Sequence, residues 1–220
     1  MSGSAFDGTP FKRRMSQLRI TGGIFKGRHI ALPDTGKARF TSSKVREAVF
    51  HILGDVKGTR VLDLFAGSGS FAIEALSRGA AWATCVEADR NTARILKENL
   101  ARLSLNSCCH VLVMDVVYAI PFLYKKASLY DIIFMDPPYE RGYIGATVSL
   151  LEKYKVYSDD APIVLEHSKR ETFTVRDAGG WHTRKSRTYG DTVITVLGAG
   201  EPLSKGVLNE EAGGSLSGVF

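Results

Sequence analysis

From Arg60 onward, short apolar runs alternate with stretches of helical periodicity. Val61 to Phe65, Thr84 to Val86, Val111 to Met114, Ile132 to Met135 and Ile163 to Leu165 read as strands. Between them Phe71 to Arg78 and Asn91 to Leu103 read as helices, the second with Ala93, Leu96, Leu100 and Leu103 along one face. Such alternation implies right-handed crossovers and an α/β fold built on a doubly wound, mostly parallel sheet. In sheets of that kind a ligand sits at the carboxyl ends of the strands. Two β-prone runs, His182 to Thr188 and Thr192 to Leu197, flank the turn signal Gly190-Asp191 and predict an antiparallel hairpin at one edge.

The first part of the chain follows neither pattern. Leu18 to Leu32 gives short extended pieces broken by Gly22, Gly23 and Gly27. Ser42 or Ser43 can cap a helix carrying Val45, Val49, Ile52 and Leu53 and ending near Gly54. The expected organisation is a flexible basic tail over 1–17, an extension with its connecting helix over 18–54, a main domain over 55–198, and a flexible tail rich in Gly, Ser and Glu over 199–220.

Charge sharpens this picture. Met1 to Arg46 holds ten Lys or Arg against two acids, a balance of +8, whereas the remainder carries −2. A basic segment beside a slightly acidic body fits a polyanionic partner, although a solvated basic tail fits about as well on charge alone. Cys85, Cys108 and Cys109 form neither a CxxC pair nor a set with His at metal spacing, so no metal site or disulfide framework is expected. With no apolar run long enough for a signal peptide or a membrane span, the chain reads as soluble, cytoplasmic and monomeric.

The candidate chemistry lies at strand ends. The strand containing Asp63 runs through Phe65 into Ala66-Gly67-Ser68-Gly69-Ser70, small residues that allow close approach to the backbone at a helix start. No GK[ST] follows, and the dinucleotide pattern GxGxxG also fails. Asp63 would suit a cationic ligand such as a sulfonium. Glu87, beside Ala88 at the end of the next strand, can accept from two ribose hydroxyls, and Asp115, ending the third, could meet an adenine amino group. Each acid alone could be a plain cap, but together with the loop they favour S-adenosylmethionine, with S-adenosylhomocysteine as product.

The strand Tyr130 to Met135 ends in Asp136-Pro137-Pro138-Tyr139. Two prolines fix a rigid exit without amide donors. An exocyclic amine on a base has its lone pair delocalised into the ring and is a poor nucleophile. If the Asp136 carboxylate and the Pro137 carbonyl each accept one N–H, that lone pair is aimed at the methyl group. Tyr139 can stack on a base withdrawn from its neighbours. Direct displacement of this kind requires no metal.

On these residues the chain resembles a known family, the bacterial RsmD-type methyltransferases, across about Arg19 to Leu197. The resemblance rests on Arg19-Ile20-Thr21-Gly22-Gly23, Lys26-Gly27-Arg28, Arg39 through Phe50, Asp63 through Gly69, Glu74 through Ala80 and the Asp136 tetrapeptide. It implies a Rossmann-like methyltransferase fold and transfer of one methyl group to guanine N2 of small-subunit ribosomal RNA, free or in the subunit. It further implies that the segment from Thr41 to Glu47, with Thr41 and Arg46, helps close the cofactor pocket, and that an N-terminal β-hairpin with Arg19, Lys26 and Arg28, together with Arg39, contacts RNA. Two departures stand out: Phe40 replaces the family's usual proline, and Tyr139 replaces a frequent Phe.

Three other readings compete. A DNA adenine-N6 or cytosine-N4 methyltransferase could use the same tetrapeptide, but the short connections leave little room for a target-recognition insertion. A protein-glutamine methyltransferase usually has Asn where Asp136 stands, and a silent RNA-binding assembly module would not need Asp63, Glu87 and Asp136.

Overall fold

A seven-stranded sheet and five helices position the site in a computed structural model that describes residues 16–33, 41–139, 141–171 and 180–199. The extension comprises β1 (Gln17–Arg19), β2 (His29–Ala31) and α1 (Ser43–Leu53). The strands of the main sheet are β3 (Arg60–Asp63), β4 (Trp82–Val86), β5 (Cys109–Leu112), β6 (Ile132–Met135), β7 (Ile163–Ser168), β8 (Trp181–Tyr189) and β9 (Thr192–Ala199). Helices α2 (Ser70–Ser77), α3 (Arg90–Arg102), α4 (Val116–Lys125) and α5 (Tyr143–Lys153) connect them.

The strand order is β5-β4-β3-β6-β7-β9-β8, with β3 through β7 parallel and β9 antiparallel to both β7 and β8. From β3 the chain winds outward to β5, then returns to place β6 on the other side of β3. The crevice at the β3/β6 carboxyl ends is therefore the topological switch point, where open α/β sheets bind ligands. The parallel sheet and the edge hairpin agree with the periodicity. Helices α4 and α5 were not announced by it: α4 is apolar around most of its surface and contains Pro121, which removes one amide donor, so no single helical stripe stands out.

Alternation along β6 divides the core. Phe134 packs with Phe50 of α1 and Phe71 of α2, its ring stacked on Phe71 at 5.0 Å between centroids. Ile133 and Met135 turn to the opposite layer with Ile120, Leu123, Val148 and Leu151 from α4 and α5. Local chemistry sets the helix starts: Ser42 accepts from the Val45 amide, Asp89 from Thr92 and Asp115 from Val117.

The extension is fastened by one buried acid. Glu74 on α2 accepts from the Thr21 amide at 2.9 Å, the Thr21 hydroxyl at 2.7 Å, Arg46 Nε at 3.2 Å and Arg78 Nε at 2.9 Å. Arg46 also donates to the carbonyl oxygens of Thr41 and Arg19. Gly23 completes the contact. Its φ is +75°, and a Cβ there would lie 1.8 Å from the Ser77 carbonyl oxygen, so only glycine lets this turn meet α2.

Candidate active site

A cleft of about 610 Å3 opens at the β3/β6 switch point. Its floor is the loop after β3, including Phe65, Ala66, Gly67 and Ser68, and its sides include Glu87, Ala88, Asp115, Met114 and Tyr143. Asp136 through Tyr139 form one rim, and Thr41, Leu18, Leu32 and Pro33 face in from the extension. Its size is ordinary for a small-molecule site.

The loop is held open by its own hydrogen bonds. Glu87 Oε2 accepts from the Gly67 amide at 2.9 Å and Oε1 from the Asp89 amide at 2.8 Å, which ties the β3 and β4 ends together. Each carboxylate oxygen keeps a further lone pair for a ligand hydroxyl. Gly69 begins α2 at φ +87°, and a Cβ there would reach within 2.3 Å of Leu96 Cδ1, so the loop's path depends on a residue without a side chain. Asp115 lines the cleft while capping α4, so its plain role and its proposed one coincide in position.

Gly69, also expected at the cofactor, shapes the loop without lining the cleft, and two further expected residues lie elsewhere. Asp63 is fully buried beneath the loop, where its Oδ2 accepts from the Ala72 amide at 3.3 Å, and it does not line the cleft. Arg46 is also buried and turned toward Glu74. The reason is shared: each points from the strand or helix into the layer below, where a backbone or carboxylate partner is within reach. Arg39 and Phe40 fall outside the described residues, as do 1–15 and 200–220 of the two expected tails; Gln17 and Ala199, counted with those tails, belong instead to β1 and β9.

The electrostatics favour a cation. Burial, reinforced by the charge of Glu87, raises Asp63 to about 7, and burial raises Glu87 as well. Asp136 is pushed well above the usual carboxylate range, first by burial and then by the charge of Glu166. Acids that resist ionisation in the free protein are stabilised as anions when a positive charge arrives. A sulfonium and an α-ammonium are such charges, and the donor set, acids and backbone groups about a narrow cleft, fits an adenosyl ligand.

Glu166 was not singled out from the sequence. Met135 pairs with Leu165, so Asp136, the first residue past β6, comes beside Glu166 within β7. The Thr41 hydroxyl lies 2.9 Å from Asp136 Oδ2 and 2.9 Å from Glu166 Oε2, and the Tyr139 hydroxyl donates to Glu166 Oε1 at 3.2 Å. An acid inside the apolar run Ile163-Val164-Leu165-Glu166 was the available signal. Arg141 and Tyr143, also in the lining, carried none; the Tyr143 ring meets Phe65 edge-on at 5.8 Å.

Fold and cleft together define the class: this is a Rossmann-like, S-adenosylmethionine-dependent methyltransferase. The family model described as "Conserved hypothetical protein 95" matches residues 18–198, and the chain belongs to that family, the RsmD family. It is 37% identical over 181 residues to ribosomal RNA small subunit methyltransferase D of Escherichia coli, covering 82% of this chain and 89% of that protein. A similar protein of the same name from Haemophilus influenzae is 29% identical, covering 79% and 90%. Among solved structures, an E. coli protein assigned as a methyltransferase, yhhF, superposes with TM-score 0.73 at 33% identity, over 85% of this chain and 100% of that one. A hypothetical protein of Thermus thermophilus gives TM-score 0.71 at 29% identity, over 83% and 99%.

Proposed function

We propose that the protein transfers a methyl group from S-adenosylmethionine to the N2 amine of a guanosine in small-subunit ribosomal RNA. One observation carries the reading: the rigid Asp136-Pro137-Pro138-Tyr139 rim borders the same cleft as the Gly67 loop and Glu87. When bound, the cofactor supplies an electrophilic methyl on a cationic sulfur. Glu87 accepts from the ribose hydroxyls, the backbone from Phe65 to Gly69 lies along the amino-acid moiety, and Asp115 and Ala88 border the adenine. Asp63 acts from below the loop through its charge. Asp136 and the Pro137 carbonyl oxygen accept the two amine N–H groups and orient the lone pair, while Pro138 and Tyr139 offer flat surfaces to the base.

The RNA side of the reading rests on the extension. The hairpin that sends Leu18 and Leu32 into the cleft exposes Arg19, Lys26 and Arg28 on its outside, and Arg39 follows it in the chain. Its cations can hold phosphates while the target base enters beside the hairpin. The names of the 37% and 29% identical relatives, both ribosomal RNA small subunit methyltransferase D, favour RNA over DNA as the polymer.

The decisive experiment incubates the protein and labelled cofactor separately with ribosomal subunits, free ribosomal RNA and DNA, then digests each to nucleosides. N2-methylguanosine from RNA is the expected product; label confined to DNA would overturn the assignment. Replacing Arg19, Lys26 and Arg28 by glutamine should weaken RNA binding and reduce the slope of log affinity against log salt by about two to three. An unchanged slope would place the RNA surface away from the hairpin.

A further inference from the structure

Thr41 stands between two carboxyl groups with equal 2.9 Å contacts to each. A hydroxyl has one proton and can donate to one acceptor. The second contact, oxygen to oxygen at hydrogen-bonding distance, is attractive only when a proton comes from the carboxyl side. The arrangement is satisfied by one acid and one carboxylate in either direction, Asp136 to Thr41 to Glu166 or the reverse. In both, the Tyr139 hydroxyl donates to Glu166 Oε1, so the tyrosine that replaces a frequent Phe in the tetrapeptide anchors the far end of the chain.

We propose that Glu166 is a positioning residue for methyl transfer: through Thr41 it shares one proton with Asp136 and takes that proton when the amine binds. The inference rests on the role proposed above for Asp136. The surroundings agree with one retained proton. Burial and the Glu166 charge raise Asp136, Asp63 from β3 adds further negative charge, and the Tyr139 hydroxyl is itself held neutral by burial beside Glu166. Among the described residues, Arg46 of α1 is a cation whose field reaches Glu166.

In the resting pair, Asp136 donates to Thr41 and Thr41 donates to Glu166. On loading, Asp136 passes its proton to Thr41 Oγ1 as Thr41 passes its own to Glu166, which leaves Asp136 ionised beside the amine. As the N–C bond forms and the C–S electron pair stays on sulfur, Asp136 takes the proton leaving nitrogen. The pair then holds two protons and returns one to solvent when the product leaves.

Infrared spectroscopy of the free protein in D2O tests the shared proton without any substrate. Asp63, raised to about 7, gives a band of its own, so the comparison is made in the Asp63→Asn background: that protein should still show a protonated-carboxyl band at neutral pH, and adding Glu166→Gln or Asp136→Asn should remove it. No band in the Asp63→Asn protein, or a band surviving either added substitution, overturns the proposal. With substrate, the acid limb of the kcat profile in Glu166→Gln should move down by about one pH unit or more, because the neighbouring charge is gone; an unmoved limb also overturns it. Thr41→Val should lower kcat about tenfold and Thr41→Ser should restore it, an independent check should Glu166→Gln fold poorly. Failure of the wild type to methylate RNA would instead refute the substrate reading, and the infrared result would still decide this one.

Discussion

Asp136→Ala is expected to abolish measurable methyl transfer, a loss of about a thousandfold or more in kcat, while cofactor affinity changes by no more than about threefold. Asp136 sits on the rim, half-buried, bonded to Thr41 and next to the prolines, whereas the loop, Glu87 and Asp115 that would hold the cofactor belong to other strand ends. Removing the carboxylate takes away an acceptor aimed at the amine without disturbing those elements. Asp136→Asn should fail nearly as badly, because its amide can present an N–H to the amine where an acceptor is needed. Single-turnover kinetics with calorimetric measurement of cofactor binding separates the two effects. Normal turnover by either variant would remove Asp136 from the role assigned to it.

Arg46→Ala should produce the largest loss of stability, about 3 kcal/mol, because it removes the more deeply buried of the two guanidinium partners of Glu74 and leaves only Arg78 to balance that carboxylate. For a protein of this size that corresponds to a fall in Tm of about 10 °C. Glu74 has its native proton affinity set by opposing effects: burial raises it, but the Thr21 amide and hydroxyl and the Arg46 charge outweigh burial and hold it below the ordinary glutamate range. A carboxyl lowered in the folded state contributes stability that is complete above its unfolded value and disappears as pH falls through its native value. Wild type should therefore lose this contribution in acid, and the gap in Tm between wild type and Arg46→Ala should narrow there. Hydrogen exchange at the Thr21 amide should accelerate in the variant well beyond that of the β3 and β6 amides, because the fastening of the extension is lost first. Equal acceleration throughout would mean that Arg46 supports the whole core and not the extension in particular.

Much of this architecture was written in one-dimensional patterns. The periods of two and 3.6 placed five strands and the edge hairpin, the Gly67 loop and the Asp136 tetrapeptide marked two strand ends, and Ser42 and Gly54 bounded α1. These features are local: each depends on residues a few positions apart, through side-chain alternation, capping or glycine's freedom at positive φ. Helix α4 escaped because it is apolar around most of its surface and Pro121 reads as a break, and α5 because its buried stripe of Ile144, Val148 and Leu151 is short and includes the polar Thr147.

What the chain alone could not specify was which distant groups meet. Asp63 and Arg46 looked like ligand residues by their place in motifs, yet their side chains turn into buried layers where Ala72 and Glu74 receive them. Glu166 looked like an acid in a strand until the parallel register of β6 with β7 set it beside Asp136, with Thr41 brought between them from 95 residues away in sequence. Composition and periodicity fix the elements because those forces act over a few bonds. Proton sharing and ligand access depend on distances of about 3 Å between segments far apart in the chain, and only the packed sheet and its extension decide those.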